Sequence, residues 1–253
     1  MSGKASGLLW PSALLGAAAP LVVAFGAMGS DIGWVSFEVG FWLLTLTVAG
    51  WLALAGVILG LIATLTNRRI LGRAWPRLVA GLLLPAATLT GIMAIKARMD
   101  ETAPVHETAT DWDSPLGFSN VLLAARGPGA HAIEADPRIP DTIGQRRSAW
   151  QAWAGRRVAE VNAEACPEAR TIPRLVEADE VIAAMEAEGV RVIGQSPWRV
   201  EGVLESAFYG RARDVVVRME PGATDFRVAE RIGEADLGDT CDLAASLVRR
   251  LSR

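Results

Sequence analysis

Few residues in this sequence are equipped for chemistry. Histidine and cysteine occur twice each, and only two of the 25 basic residues are lysine. Cys166 and Cys241 form no CxxC pair and have no histidine at ligand spacing, which speaks against a zinc site. No GxSxG elbow, HExxH, P-loop or dinucleotide glycine fingerprint is present. No metal, no cofactor and no catalytic residue are therefore expected. The excess of arginine over lysine is read as a compositional bias without mechanistic weight.

Charge is missing from three long runs, Leu8–Met28, Val39–Leu65 and Leu78–Ile95. A hydrocarbon core of about 30 Å needs roughly 20 helical residues, so each run predicts a membrane span. Pro11, Pro20 and Pro85 would break helices in water but are tolerated where neighbouring helices satisfy the freed carbonyls. Trp10, Trp34 and Trp75 fall at the predicted ends, where an indole keeps its N–H wet. Ala17-Ala18-Ala19 resembles a cleavage site, but Pro20 directly after it favours an uncleaved helix. An ionisable group within a span is what marks an ion path or proton relay, and there is none. The spans read as an anchor.

Direction comes from the loops. Asn67–Arg77 carries Arg68, Arg69, Arg73 and Arg77, whereas Gly29–Glu38 carries no Lys or Arg. The positive-inside rule puts the arginine loop and the N-terminus with Lys4 in the cytoplasm. All that follows the third span is then outside, the periplasm of a Gram-negative cell, despite Lys96 and Arg98 on that flank. The expected division is a transmembrane region over 1–98 and an extracytoplasmic domain over 99–253. Gly56 and Gly60 form a GxxxG pair that lets backbones approach, either within the chain or in a homodimer.

Beyond Lys96 the chain holds nineteen basic and 26 acidic residues, a net charge of −7. That offers no positive footprint for nucleic acid. In an oxidising compartment, a disulfide between Cys166 and Cys241 would close a loop of about 75 residues and contribute up to about 4 kcal/mol. The alternative is two small buried thiols.

Met99–Pro104 reads as a tether, and Val105–Pro140, rich in Asp, Pro and Gly, as a looped lead-in. Arg146–Ala165 reads as helical, with Trp150, Trp153, Val158 and Val161 roughly on one face. Glu177–Glu188 is amphipathic, with Gly189 at the C-cap. The period then falls to two: Val190–Ile193, Trp198–Ala207, Asp214–Met219 and Asp225–Ile232 predict four strands. Asp236–Arg250 closes the chain as a helix. The expected fold class is α+β, a three-helix transmembrane region followed by a soluble two-layer α/β sandwich with an antiparallel four-stranded sheet.

From Val105 onward the sequence resembles a bacterial family, domain of unknown function 1499 (DUF1499). Val105-His106-Glu107-Thr108-Ala109-Thr110-Asp111 and Pro167-Glu168-Ala169-Arg170-Thr171-Ile172-Pro173 carry part of the likeness. Arg213-Asp214-Val215-Val216-Val217-Arg218 and Arg231-Ile232-Gly233-Glu234-Ala235-Asp236-Leu237-Gly238 carry its most specific part. The resemblance implies an extracytoplasmic domain behind a hydrophobic N-terminal region, and it implies no reaction.

Two constellations remain. His106 with Asp111 or Asp113 has the residue types of an acid–base set, the basis for reading the chain as an envelope hydrolase. The same aspartates suit turns and caps. Arg211, Arg213, Arg227 and Arg231, with His106, are candidate ligand-binding residues for an anionic envelope component if alternation gathers them on one face. Nearby glutamates could instead neutralise them. The reading that follows is a non-catalytic, membrane-anchored periplasmic domain of the inner membrane, with the bilayer and an envelope protein or anionic component as partners. A hydrolase or a lipid-binding domain is the alternative.

Overall fold

The three charge-free runs form three long helices, because a backbone in hydrocarbon must satisfy its own N–H and C=O groups. The computed structural model of the protein describes residues 9–66, 76, 79–127 and 129–252. Lys4, Trp75 and the four loop arginines lie outside the described residues. The chain divides into two units, Met1–Ala97 with Ala207–Gly210, and Arg98–Ser206 with Arg211–Arg253.

The first unit holds α1 (Leu9–Asp31), α2 (Glu38–Thr66) and α3 (Val79–Glu101) as far as Ala97, and each helix is long and apolar enough to cross a membrane. The helices outrun the charge-free segments. In particular, α3 continues through Arg98 and Asp100 to Glu101, so the first half of the expected tether is helix. Threonines inside the runs return their hydroxyls to the helix: Thr64 donates to Gly60 O at 2.7 Å and Thr90 to Ala86 O at 2.9 Å. That satisfies a polar group where water is absent. The start of α2, Glu38–Ala49, is wound as a π-helix, and Thr45 and Thr47 donate to carbonyls five residues back.

Small residues hold this unit together. A Cβ on Gly60 would lie 2.3 Å from Gly81 O, and one on Gly56 would lie 3.1 Å from Pro85 Cβ. One on Gly16 would lie 2.0 Å from Ala80 O. Gly56 and Gly60 are thus buried against their own chain, the first of the two arrangements that their spacing allows.

The second unit is built on one open antiparallel sheet in the order β1-β5-β4-β3-β2. Its strands are β1 (Glu107–Ala109), β2 (Arg191–Ser196), β3 (Arg199–Glu205), β4 (Ala212–Glu220) and β5 (Ala223–Glu230). The count is five, not four. The extra strand is three residues of the lead-in paired to β5, too short to show a period of two.

Between β1 and β2 come α4 (Asn120–Ala125), α5 (Ile143–Arg146), a 3₁₀ turn (Ser148–Trp153), α6 (Val158–Ala165) and α7 (Ala178–Ala187). The helix expected over Arg146–Ala165 is therefore broken. Gly155, at φ +74°, reverses the chain and donates its N–H to Ile139 O at 3.0 Å. Trp150 is fully buried, and its indole N–H reaches Met99 O at 2.7 Å. Gly189, at φ +80°, closes α7 as expected, followed by Val190 N–H to Met185 O at 2.9 Å.

Register fixes what each sheet face carries. Val200, Val215, Val217, Phe226 and Val228 share one face and pack on Val181 and Met185 of α7. The final helix, α8 (Asp239–Leu251), covers the same face with Leu243, Leu247, Val248 and Leu251. It starts later than expected because Asp236 caps it from outside, accepting the N–H of Gly238 and of Thr240 at 2.9 Å each. The opposite face, with Val203, Ala212, Val216 and Ala229, lies under Leu116, Phe118 and Leu122 of the lead-in.

Candidate functional site

A strand that alternates inward and outward should keep charges outward. Here charged side chains point inward on both faces, around the end of β5. On the lead-in side Arg227 is 1% exposed and Glu107 is 3% exposed. Arg227 Nη2 donates to Glu107 Oε2 at 2.6 Å and to Glu134 O at 2.6 Å, while Nη1 donates to Leu116 O at 2.8 Å. Its guanidinium also lies over the Trp112 ring at 5.5 Å. Burial pushes the Glu107 carboxyl above its ordinary range, against the pull of Arg227.

Beside this pair, Asp214 is fully buried between two arginines. Arg126 Nη1 donates to its Oδ2 at 2.5 Å, and Arg231 Nη2 to its Oδ1 at 2.6 Å. The remaining donors hold the backbone of the lead-in, Arg126 on His131 O and Arg231 on Ala125 O, each at 2.9 Å. A loop laid over a sheet would otherwise bury orphan carbonyls, and here guanidinium forks satisfy them.

On the helix side Glu230 is 1% exposed, with Arg211 Nη2 at 2.7 Å and Arg213 Nε at 3.6 Å. Burial lifts its carboxyl to about 7, and the two arginines oppose that rise. Asp236 is raised by burial too. Four candidate arginines are thus split two and two, Arg211 and Arg213 on one face, Arg227 and Arg231 on the other. Each is engaged by an internal carboxylate, and they do not converge on one anion.

His106 does not meet Asp111 or Asp113 in any hydrogen bond among the described residues. Asp111 closes a turn, accepting the N–H of Asp113 at 3.0 Å and of Ser114 at 3.1 Å, and it also takes Arg218 at 3.1 Å. The His106 ring instead stacks on His131, centroids 4.1 Å apart and planes 8° apart. His131 Nε2 donates to Gly233 O at 2.5 Å, while His106 Nδ1 is buried with no partner among the described residues. Burial and the neighbouring His131 pull His106 down to about 4. Near neutral pH His106 is therefore uncharged.

Cys166 and Cys241 are joined as a disulfide, their Cα atoms 5.8 Å apart across 75 residues of sequence. It ties the end of α6 to the first turn of α8. Glu168 lies within 4.8 Å of both sulfurs, but bonded sulfurs offer no thiolate to a cation. Next to the disulfide is a cleft of about 210 Å³, lined by Val105, Thr108, Val161 and Asn162 and by the charged Arg98, Glu101 and Asp242. Arg98 is already bonded to Asp242 at 2.7 Å and to Leu237 O at 2.9 Å.

Glu107, Arg126 and Asp214 were not singled out as site residues from sequence. The available signal was Asp214, a carboxylate at the inward position beside Val215-Val216-Val217. What defines the class of this protein is an α+β unit behind three helices able to span a membrane. No family model, curated protein or solved structure matches the chain.

Proposed function

We propose that the protein is a three-span inner-membrane protein, N-terminus in the cytoplasm, that presents a non-catalytic binding domain in the periplasm. The domain is a sandwich of sheet and helices related to the DUF1499 family, and it engages an envelope protein or another envelope component. One observation carries the non-catalytic half of this reading. The groups that would have to do acid–base or anion chemistry are occupied inside the domain, with Asp111 in a turn, His106 stacked, and Arg211, Arg213, Arg227 and Arg231 on buried carboxylates. The Cys166–Cys241 bond supports the outward placement, since disulfides persist in oxidising compartments.

Three experiments test the reading. Alkaline phosphatase fused after Arg253 is expected to be active, and an inactive fusion with an active reporter in the Asn67–Arg77 loop would invert the topology. Photo-crosslinking of the intact protein in cells, from positions around the cleft, is expected to capture an envelope partner. Turnover of an envelope polymer or lipid by the purified protein, abolished in His106→Ala, would replace binding with catalysis.

A further inference from the structure

The cleft beside the Cys166–Cys241 bond carries one polar group that the fold leaves unanswered. Asn162 is 5% exposed, and its Nδ2 donates to Glu107 O at 3.1 Å and to Val158 O at 3.0 Å. Both partners are carbonyls, which only accept, so the amide cannot be flipped and its oxygen is fixed on the other side. That oxygen, Oδ1, is buried and accepts no hydrogen bond among the described residues. A buried acceptor without a donor is costly. Asn162 stands in the wall of the cleft, and what would complete it is a donor from outside the chain.

The charges around the cleft say what kind of donor. They are two carboxylates, Glu101 and Asp242, to one guanidinium, Arg98. Arg98 is committed to Asp242 and to Leu237 O. Glu101 is exposed and has no ion-pair or hydrogen-bond partner among the described residues. The last carbonyls of α3 add the negative pole of a helix at the same place. The positive pole at the start of α8 is answered by Asp236, which takes the N–H groups of Gly238 and Thr240. A cation that carries N–H donors is therefore favoured. The rest of the wall is apolar, with Val105, Val161, Ala165 and the disulfide. Its volume of about 210 Å³ is the liquid share of about seven waters, room for a chain of about six non-hydrogen atoms. We propose that the cleft binds a primary alkylammonium group, its stem along Val161 and Ala165 and its ammonium between Asn162 Oδ1 and Glu101. A lysine side chain of an envelope protein and a free amine share that chemistry. The inference rests on the binding reading above and narrows it to one class of ligand.

The test uses the full-length protein in detergent micelles, with n-pentylammonium as the probe, 1-pentanol as its neutral counterpart and protein-free micelles as the blank. Saturation-transfer NMR is expected to show saturable binding of n-pentylammonium, about tenfold tighter than that of 1-pentanol, because a charged donor serves a buried acceptor better than a neutral one. The side-chain amide signals of Asn162 should shift as the probe is added. Glu101→Gln should weaken binding about threefold to fivefold, the effect of one exposed charge. Ala165→Trp, at an exposed position on the wall, should abolish it with the circular dichroism spectrum unchanged. A capped Gly-Lys-Gly peptide that binds more tightly than the probe assigns the site to a protein side chain, and the reverse order assigns it to a free amine. Equal binding of alcohol and ammonium overturns the proposal, as does binding that survives Ala165→Trp. So does no binding above the blank, which would leave Oδ1 to water. The binding reading itself fails on a different result, the absence of any crosslinked partner. A partner captured beside the cleft with no ammonium bound therefore overturns this proposal alone.

Discussion

Arg227 and Glu107 form an ion pair of 2.6 Å between β5 and the edge strand β1, with both side chains closed off from solvent. Taking two charges out of water is expensive, and the attraction between them roughly offsets that only while both are present. Glu107→Ala would leave Arg227 buried and unpaired, for a destabilisation of about 3–5 kcal/mol. Replacing both, with Glu107→Leu and Arg227→Met, should recover a large part of that loss. Urea unfolding of the purified full-length protein in detergent, followed through tryptophan fluorescence, would show it. A single substitution that proves neutral would mean the pair is hydrated in solution.

The strands were legible because alternation and the run Val215-Val216-Val217 are local properties of sequence. Gly189 was legible for the same reason, since a helix of this length has few ways to end. β1 was not: three residues carry no period, and its pairing partner lies more than a hundred residues away. Buried charge was hidden in a further way. Glu107 looks like an ordinary surface carboxylate until the register shows that it shares a face with Ala229 and that the lead-in lies over it. The arginines were found, but their partners depend on a fold that brings residues such as Arg126 and Asp214 together.

His106 and Glu230 titrate against each other in their effect on stability. His106 has an ordinary value of 6.5 and stays neutral in the fold down to about 4, so the unfolded chain binds more protons in that window. Its contribution is present above pH 6.5 and is lost as pH falls. Glu230 behaves oppositely: its proton is held in the fold up to about 7 against an ordinary 4.5, so stability falls as pH rises through that window. Between pH 4.5 and 6.5 the two slopes oppose. Glu230→Gln should expose the histidine slope, a loss of roughly 2–3 kcal/mol on going from pH 6.5 to 4.5. His106→Gln should expose the reverse. Unfolding curves at pH 4.5, 5.5 and 6.5 decide it, and variant profiles parallel to wild type would rule the coupling out.

The disulfide spans 75 residues, so its main effect is on the unfolded chain. Cys241→Ser is expected to lower stability by about 4 kcal/mol, an upper range for loops of this size. The folded protein should show no titratable thiol without a reductant. Detection of two free thiols in protein prepared under oxidising conditions would count against the bond and remove its support for an outward domain.

Gly56 and Gly60 test whether the bundle is held within one chain. A Cβ on Gly60 would press on Gly81 O, which is backbone and cannot rotate away. Gly60→Leu must therefore push α2 from α3, and overpacking of this kind costs at least about 1–3 kcal/mol. The expected result is a protein less stable to heat or to denaturing detergent, with its oligomeric state in mild detergent unchanged. A variant that keeps its stability but changes from dimer to monomer would mean that these glycines face another copy. The distinction is physical rather than nominal, since backbone-to-backbone contact at Gly60 is already made inside the chain, and one glycine face cannot be filled twice.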